Sequence, residues 1–214
     1  MEQATSQSLT LLESSAPATI KSDRELARRA ARGDRQAFQQ IVDDHKQRMF
    51  TVARSVIGEL SSAEDIVQEA LIKAYRALPD FRGDCLLSTW LHRITYLTAI
   101  DAHRAKKRYL QLASDQGVEV ESEDERPGAQ GDAKLQSSQL KQEIDAALDC
   151  LSPFEQTVFT LRHMQNFKLR EIALVVDRSE GTVKNILFRA IRKMRERLQD
   201  SYLNNEMNDG IETC

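Results

Sequence analysis

Residues 114–133, SDQGVEVESEDERPGAQGDA, do most to limit what this 214-residue chain can fold into. They contain seven acidic residues, one basic residue, three glycines and one proline. A segment of this composition buries too little apolar surface to offset the conformational entropy that is lost on folding. We therefore interpret residues 113–135 as a flexible acidic linker that separates one folded domain at 22–112 from a second at 136–200.

The two ends of the chain have a similarly polar composition. Residues 1–21 are rich in Ser, Thr, Gln and Ala, and residues 201–214 are mostly polar. We expect a disordered N-terminal extension and a disordered tail, because neither end offers enough apolar surface to dock on a domain.

Both domains are expected to be helical. Strong helix formers dominate the composition, charged residues make up 29% of the chain and aromatic residues 6%. Apolar residues recur at helical spacing, and Gly33-Asp34 divides a first helix, capped by Ser22, from a second that ends at Gly58. The predicted fold class is all-α: two small helical domains joined by a flexible acidic linker, the C-terminal one a helix-turn-helix.

The segment EDIVQEALIKAYRALP, residues 64–79, predicts a helix over 61–78. Ser61 and Glu64 fit a capping box, and Pro79 is placed to end the helix. The apolar stripe expected to face a core is Ile66, Val67, Ala70, Leu71, Ala74, Tyr75 and Leu78. Asp65, Gln68 and Glu69 remain outward as a polar ridge, which by itself is more typical of a solvated first turn than of a binding surface.

The next predicted helix, LLSTWLHRITYLTAIDAHRAKKRYLQ, gathers basic residues toward its C-terminal end. Aromatic rings beside cations suit unstacked bases, because the bases stack on the rings while the phosphates contact Lys and Arg. Trp90 on an apolar face is an equally good core residue. The candidate nucleic-acid-binding residues are Trp90, Arg93, Tyr96, His103, Arg104, Lys106, Lys107 and Arg108.

The second domain has the pattern of a helix-turn-helix. Ser152 can cap a helix with Pro153 at its first position, and later a short helix, a tight turn at 177–179 and a longer basic helix follow. The residues expected to reach DNA are Arg178, Ser179, Thr182, Lys184, Asn185, Phe188, Arg189 and Arg192. The alternative is a solvated basic helix.

The remaining composition argues against enzymes, metal sites and membrane spans. Cys85, Cys150 and Cys214 lie far apart, and the four histidines have no ligand spacing, so we predict no metal, no cofactor, no catalytic residues and no disulfide. We expect Cys85 and Cys150 to be buried and Cys214 to be exposed. No apolar run approaches the roughly 20 residues of a membrane span, so a cytoplasmic location is expected.

Taken together, these motifs closely resemble the extracytoplasmic-function (ECF, group IV) sigma factors of the sigma-70 family. The resemblance covers about residues 22–200 in order. It rests on AEDIVQEALIKAYRALPDFRGD, STWLHRITYLTAID with the basic end HRAKKR, the acidic linker, LSPFEQTVFTLRHM and EIALVVDRSEGTVKNILFRAIRKMRERL.

The resemblance implies a promoter-specificity subunit of RNA polymerase that is not an enzyme. By it, Asp65, Gln68 and Glu69 dock on the clamp helices of the largest polymerase subunit, residues 81–108 melt and capture the minus-10 element, and the helix over 180–197 reads the minus-35 element. Promoter elements separated by ~50 to 70 Å are within reach of a linker that extends to ~80 Å. It also implies control by an anti-sigma factor, often membrane-anchored, with no membrane insertion by this chain.

Three departures from the family pattern concern DNA reading. Leu97 stands where many members have Asn, and Asp177 occupies a turn position that is commonly Gly. Ile186 replaces a frequent Arg, which by the resemblance removes one phosphate or base contact. The competing hypothesis is a free-standing helix-turn-helix regulator that binds duplex DNA as a dimer, without polymerase.

Overall fold

A computed structural model of the chain describes residues 16–115, 144 and 146–209, and within those ranges it contains helices and no β-strand. A 3-10 turn, Leu78–Asp80, follows the third helix, and a π turn, Thr160–Met164, follows the fifth. The α-helices in chain order are α1 (Ala16–Ala31), α2 (Arg35–Ile57), α3 (Leu60–Ala77), α4 (Leu87–Asp115), α5 (Pro153–Phe159), α6 (Leu169–Val176) and α7 (Glu180–Asp209). The all-α fold class is confirmed.

The predicted boundaries of α2 are also confirmed, and each has a local cause. The Asp34 carboxylate accepts the backbone N–H groups of Gln36 and Ala37 at 3.0 and 3.1 Å, which satisfies two amides that the helix itself leaves unpaired. The N–H of Ala37, together with the Arg29 side chain, lowers the pKa of Asp34. Gly58 ends the helix with φ 83°, a conformation that glycine adopts without a Cβ clash.

Two predicted helix starts are wrong. α1 begins at Ala16, so Ser22 lies inside the helix and does not cap it. α3 begins at Leu60 behind Glu59, which makes no side-chain capping bond, and Ser61 takes no part in a capping box. Instead, the Ser62 hydroxyl donates to the Glu59 carboxylate at 2.8 Å. A capping signature in sequence is therefore overridden where residues before it are also compatible with helix.

Three segments expected to lack structure include helical residues. α1 includes residues 16–21, α4 continues to Asp115, and α7 continues past residue 200 to Asp209. Residues 16–21 and 201–209 are thus helical in this structure, whereas the sequence predicted disorder for them. The remainder of the predicted extension, most of the acidic linker, and Cys214 lie outside the described residues.

A core of small and branched side chains holds the first domain together. α2 lies at its centre and buries Ile41, Met49 and Val52, while α3 and α4 pack on it and on each other. The same core continues into the second domain through Val158, Leu161, Phe167, Ile172, Val176 and Val183. A smaller cluster of Ala147, Leu151, Ala190 and Met194 lies between α7 and the chain that leads into α5.

The two domains pack directly against each other, which the sequence did not predict. The Ser55 hydroxyl of α2 donates to the Thr157 hydroxyl of α5 at 3.1 Å, although the two residues are 102 positions apart. α4 lies along α6, and the His92 ring of α4 contacts the Phe167 ring at 5.0 Å between centroids. Apolar surface is thus shared across the boundary, with a small number of specific polar contacts that fix the fit.

The cysteines differ from expectation in part. Cys85 is half-buried, and burial raises the pKa of its thiol, whereas Cys150 is exposed and the prediction that it would be buried is wrong. Across the described part of the chain, no three His, Cys, Asp or Glu side chains are grouped so that they could hold a metal ion. None of the described helices combines the length and the apolar character that crossing a membrane requires.

Candidate functional site

The polar ridge on α3 is formed as predicted. Asp65, Gln68 and Glu69 are exposed, while the stripe on the opposite side, including Ile66 and Ala70, is buried against the core. Glu69 forms an ion pair with Lys73 at 2.7 Å, one helical turn further on. Among the described residues, neither Asp65 nor Gln68 has a side-chain hydrogen bond or ion pair within the protein, so both are available to a partner.

An apolar side chain extends this ridge and was missed from the sequence. Ile72 lies one turn beyond Gln68 on the same face, and 54% of its surface is exposed. The expected core residue Tyr75 is also exposed, with its ring edge-on to Phe38 at 4.8 Å between centroids. Polar groups beside an exposed aliphatic side chain are typical of a protein-binding surface. Only Ile72 could have been found from helical spacing, because it shares the angular position of Asp65.

The basic residues of α4 do not all lie on one side. At 100° per residue, Trp90, Arg93, Arg104 and Arg108 fall within a narrow sector of the helix. Lys106 lies on the opposite side, where its ammonium group donates to the Glu59 carboxylate at the corner between α2 and α3. Hydrogen bonding by Lys106 lowers the pKa of Glu59.

The predicted charge set on α4 is therefore divided. Arg104, Lys107 and Arg108 are exposed, and His103 is half-buried. These side chains form no ion pair with any described residue, so their charge is open to an anionic ligand. Lys106 instead ties α4 to the rest of the first domain.

The aromatic residues of the first domain differ in their availability. Trp90 is half-buried, packs against the core and lies beside Phe81, with ring centroids 5.2 Å apart and planes inclined by 52°. It therefore serves packing while leaving part of its ring open. Tyr96 is only 8% exposed, and burial raises the pKa of its hydroxyl. Its ring cannot stack on a base unless the structure around it opens.

The turn between α6 and α7 has the geometry of a helix-turn-helix. Asp177 ends α6 in the left-handed conformation, with φ 55° and ψ 54°, and its backbone N–H donates to Ala173. The Ser179 hydroxyl then caps α7 by accepting the N–H of Thr182 at 3.2 Å. Asp is tolerated at the position because its short polar side chain suits this backbone better than most. The tight turn predicted at 177–179 is confirmed.

The predicted minus-35 residues are exposed along one end of α7. This holds for Arg178, Ser179, Thr182, Lys184, Asn185, Phe188, Arg189 and Arg192, and Phe188 is 68% exposed. Ile186 is only 3% exposed and belongs to the core. The expectation that Ile186 costs a DNA contact is therefore wrong, since this position faces inward.

The two surfaces predicted to bind DNA meet in this structure. One guanidinium nitrogen of Arg93 donates to the backbone carbonyl of Leu174 at 2.8 Å, and the other lies 3.4 Å from the Asp177 carboxylate. Beside this contact is an open cleft of about 470 Å³ whose lining includes Arg170 and Arg178. Arg93 thus joins α4 to the turn that presents α7.

Two neighbouring histidines, His92 on α4 and His45 on α2, are removed from solvent to different degrees. His92 is fully buried, its Nδ1 lies 2.5 Å from the Ser88 carbonyl oxygen, and its Nε2 has no hydrogen-bond partner among the described residues. Burial lowers the pKa of His92 to about 4, and the neighbouring His45 and Arg48 act in the same direction. Burial also lowers the pKa of His45. Both rings are therefore neutral near pH 7.

Comparison with known proteins identifies the family. The model of Sigma-70 region 2 matches residues 41–109, and that of Sigma-70, region 4 matches residues 141–194. The RNA polymerase sigma-H factor of Pseudomonas aeruginosa is 32% identical over 188 residues, which are 85% of this chain and 96% of that protein. The chain belongs to the ECF RNA polymerase sigma factors. A sigma factor directs RNA polymerase to promoters, so this sigma factor acts in transcription initiation.

Other relatives agree with this assignment. The ECF RNA polymerase sigma factor SigW of Bacillus subtilis is 32% identical and matches 79% of this chain and 92% of its own. The ECF RNA polymerase sigma-E factor of Escherichia coli K12 is 31% identical, over 83% of this sigma factor and 94% of its own length.

Solved structures have the same fold. The sigma factor RpoE from Bartonella quintana, in complex with the anti-sigma factor NepR, superposes with a TM-score of 0.61 at 26% identity. That match covers 76% of this sigma factor and 96% of RpoE. CnrH, solved with the cytosolic domain of CnrY, superposes with a TM-score of 0.60 at 24% identity, covering 83% of this sigma factor and 97% of CnrH.

Proposed function

We propose that this sigma factor docks on core RNA polymerase through the α3 ridge of Asp65, Gln68 and Glu69, with Ile72 at its edge. The observation that carries the proposal is that Asp65 and Gln68 are exposed and bond to no described side chain, while the opposite face of α3 is buried in the core. An acidic surface with one apolar anchor fits a basic, partly apolar helix pair such as the polymerase clamp.

Promoter reading is divided between the two domains in this proposal. The open side of Trp90 and the basic side chains of α4 bind the melted minus-10 element, because rings stack on unpaired bases and cations contact phosphates. The exposed polar residues at the start of α7 enter the major groove at the minus-35 element, where Asn185 and Arg189 can bond to base edges. Nucleotidyl transfer belongs to the polymerase, so the factor contributes no catalytic residue and works in the cytoplasm.

An anti-sigma factor is the proposed regulatory partner. The RpoE structure was solved with the anti-sigma factor NepR, which supports the same class of partner for this chain. The closed packing of α4 on α6 offers such a partner a single continuous body. The free-standing dimeric regulator receives no support from the relatives, which are sigma factors.

The test is binding of the purified chain to core RNA polymerase. The variant Asp65→Lys plus Gln68→Ala should weaken binding about 30-fold or more, since it reverses a charge and removes an amide at the centre of the interface. Asp43→Lys plus Gln40→Ala on the exposed face of α2 is the matched control and should bind like the wild type. No binding by the wild type, with co-purified anti-sigma factor excluded, would sink the proposal. Binding of a palindromic duplex by the chain alone would then favour the dimeric regulator.

A further inference from the structure

His92 lies at the boundary between the two domains, and the second domain covers one side of it. The Phe167 ring, which follows the π turn, contacts the His92 ring at 5.0 Å between centroids. Both residues are buried, with 0% of the surface of His92 and 5% of that of Phe167 exposed. Separation of the domains would therefore remove the Phe167 ring and open that side of His92 to water.

One nitrogen of His92 is placed to take up a proton. Nδ1 lies 2.5 Å from the Ser88 carbonyl oxygen, which can only accept a hydrogen bond, so Nδ1 carries the hydrogen of the neutral ring. Nε2 then holds the lone pair and has no hydrogen-bond partner among the described residues. A proton on Nε2 would place a second N–H group and a positive charge in a buried position where no described group accepts that hydrogen.

The neighbouring side chains of the first domain do not offset such a charge. Burial is the largest cause that lowers the pKa of His92, and His45 and Arg48 of α2 act in the same direction. Burial also lowers the pKa of His45, although Asp44 and Asp23 act against it. The groups that act on His92 by their charge are thus basic, and they oppose its protonation while the ring is covered.

The second domain brings no compensation through its bonds at this boundary. The Arg162 side chain donates to the Phe167 carbonyl at 2.9 Å, which adds a cation on that side. The Ser55 and Thr157 hydroxyls are joined at 3.1 Å, and Arg93 donates to a backbone carbonyl of α6 at 2.8 Å. Hydroxyl and guanidinium groups keep their charge near neutral pH, so these bonds hold the boundary without sensing protons.

We propose that the domain boundary is a pH-sensitive switch, in which a proton on Nε2 of His92 shifts the protein from the packed form to a form with separated domains. In the packed form Nε2 stays unprotonated, whereas in the separated form water accepts the new N–H group. The switch goes beyond the proposed function, since it uses neither the α3 ridge nor bound DNA. Its consequence is that a fall in pH uncovers the side of α4 that the second domain packs on.

The size of the effect follows from the linkage between proton binding and opening. The pKa of His92 is about 4 in the packed form, against an ordinary value of 6.5. The open form therefore takes up the proton at a higher pH, and opening is favoured as the pH falls below 6.5. A full return to 6.5 would raise the ratio of open to packed molecules about tenfold between pH 7.5 and pH 5.5. Because His45 and Arg48 stay beside the ring, we expect about fivefold.

Single-molecule fluorescence energy transfer on the full-length chain measures this ratio. Serine replaces Cys85, Cys150 and Cys214, and the two dyes are attached at Gln40→Cys on α2 and Gln199→Cys on α7. Both glutamines are exposed, and they lie in different domains. The ratio of molecules with low transfer to those with high transfer should rise about fivefold between pH 7.5 and pH 5.5. Far-ultraviolet circular dichroism should stay the same, because the helices of each domain remain folded.

Substitution of the histidine should abolish the response. His92→Gln removes the titrating group and should hold the ratio constant to within about twofold over this pH range. His163→Gln is the matched control, because it removes an exposed histidine of the second domain, and it should keep the wild-type response. His92→Phe is a second neutral variant, which retains a ring against Phe167 and serves if the glutamine variant loses helicity.

Several results would overturn the switch. One is a constant ratio in the wild type, and another is a wild-type response in the folded His92 variants. Loss of the response in His163→Gln would assign it to another group. A loss of helicity in step with the loss of energy transfer would show that acid unfolds the protein instead of separating its domains. Failure of the wild type to bind polymerase refutes the proposed function and leaves the switch standing.

Discussion

The α3 ridge and the basic side of α4 belong to one domain, yet they differ in solvent exposure when the two domains are packed together. The ridge projects into solvent, and in the described part of the protein no side chain of the second domain bonds to it. α4 lies under α6, with Arg93 bonded to Leu174 and Asp177 and with Tyr96 buried. The surface proposed for polymerase is therefore open, while part of the surface proposed for the promoter is covered. We therefore expect that polymerase binding can come first and that promoter reading requires the domains to separate.

The largest expected effect comes from locking the two domains together, which should affect transcription much more than polymerase binding. In a chain whose native cysteines are replaced by serine, we expect Ser55→Cys plus Thr157→Cys to form a disulfide, because their hydroxyls lie 3.1 Å apart. The oxidised protein should bind core polymerase within about tenfold of wild type but lose run-off transcription by about 100-fold, since the closed state is held at nearly full population.

Reduction of the same sample is the control for this lock. Dithiothreitol should restore transcription on the same template without any change of protein. Transcription by the oxidised form at the wild-type level would show that promoter reading does not require the domains to separate.

Acid should lower the stability of the fold through His92, which lies on α4. Its pKa is about 4 in the fold, against an ordinary value of 6.5. As the pH falls below 6.5, His92 therefore gains a proton in the unfolded chain, whereas in the native protein it does so only near pH 4. The free energy of unfolding therefore decreases as the pH falls from about 6.5 to about 4. His92 alone should lower the free energy of unfolding by about 2 kcal/mol between pH 7 and 5.

Urea unfolding at both pH values measures this effect. His92→Gln should reduce the pH dependence by most of that amount, leaving a smaller contribution of the same sign from His45, whose pKa is also lowered. An equal pH dependence in wild type and variant would contradict the assignment. The pKa values of three carboxylates are also lowered, those of Asp34, Glu59 and Glu155. Their contribution to stability is lost only at lower pH, so it does not interfere with the measurement between pH 7 and 5.

The smallest expected effect on stability comes from substitutions at Asp177, in the turn between α6 and α7 that Arg93 of α4 contacts. Asp177→Ala removes the contact with Arg93 and places alanine in a left-handed conformation, which together should cost about 1 kcal/mol in the free energy of unfolding. Asp177→Gly removes the same carboxylate but accepts the backbone, so it should stay within about 0.5 kcal/mol of wild type. Thermal unfolding of the two variants distinguishes backbone strain from loss of the exposed ion pair.

Local rules predicted the parts of this molecule that depend on a few neighbouring atoms. Ser152 caps α5 in a capping box with Glu155, and Pro153 takes the first helical position. Burial alone would raise the pKa of Glu155, but hydrogen bonds from Lys193 and Ser152 lower it. The cap and the place of the proline could be predicted because their partners lie within one helical turn in the sequence. The bond from Lys193 could not, because Lys193 is 38 positions from Glu155.

The failures have a common physical cause, which is that periodicity identifies an apolar face but not what covers it. Ile186 resembled a missing basic contact and is core, while Tyr75 resembled core and is exposed. The contact between α4 and α6 joins residues about 80 positions apart, and no local pattern encodes it. Helical spacing predicted the polar ridge, whereas the bond from Arg93 to the Leu174 carbonyl depends on how α6 is placed against α4.

The π turn at Thr160–Met164 sets the direction of everything that follows it. Its wider winding lets Gln165 donate its N–H to Thr160, and the Arg162 side chain then holds the Phe167 carbonyl at 2.9 Å. Removing one residue here would restore ordinary winding and rotate the downstream chain by about 100°. The Phe167 ring would then lose its contact with the His92 ring, and α6 would no longer pack against α4. The length of this one turn therefore sets the orientation of α6 and α7 relative to α4. An insertion or deletion there would change that orientation without altering any residue proposed to bind DNA.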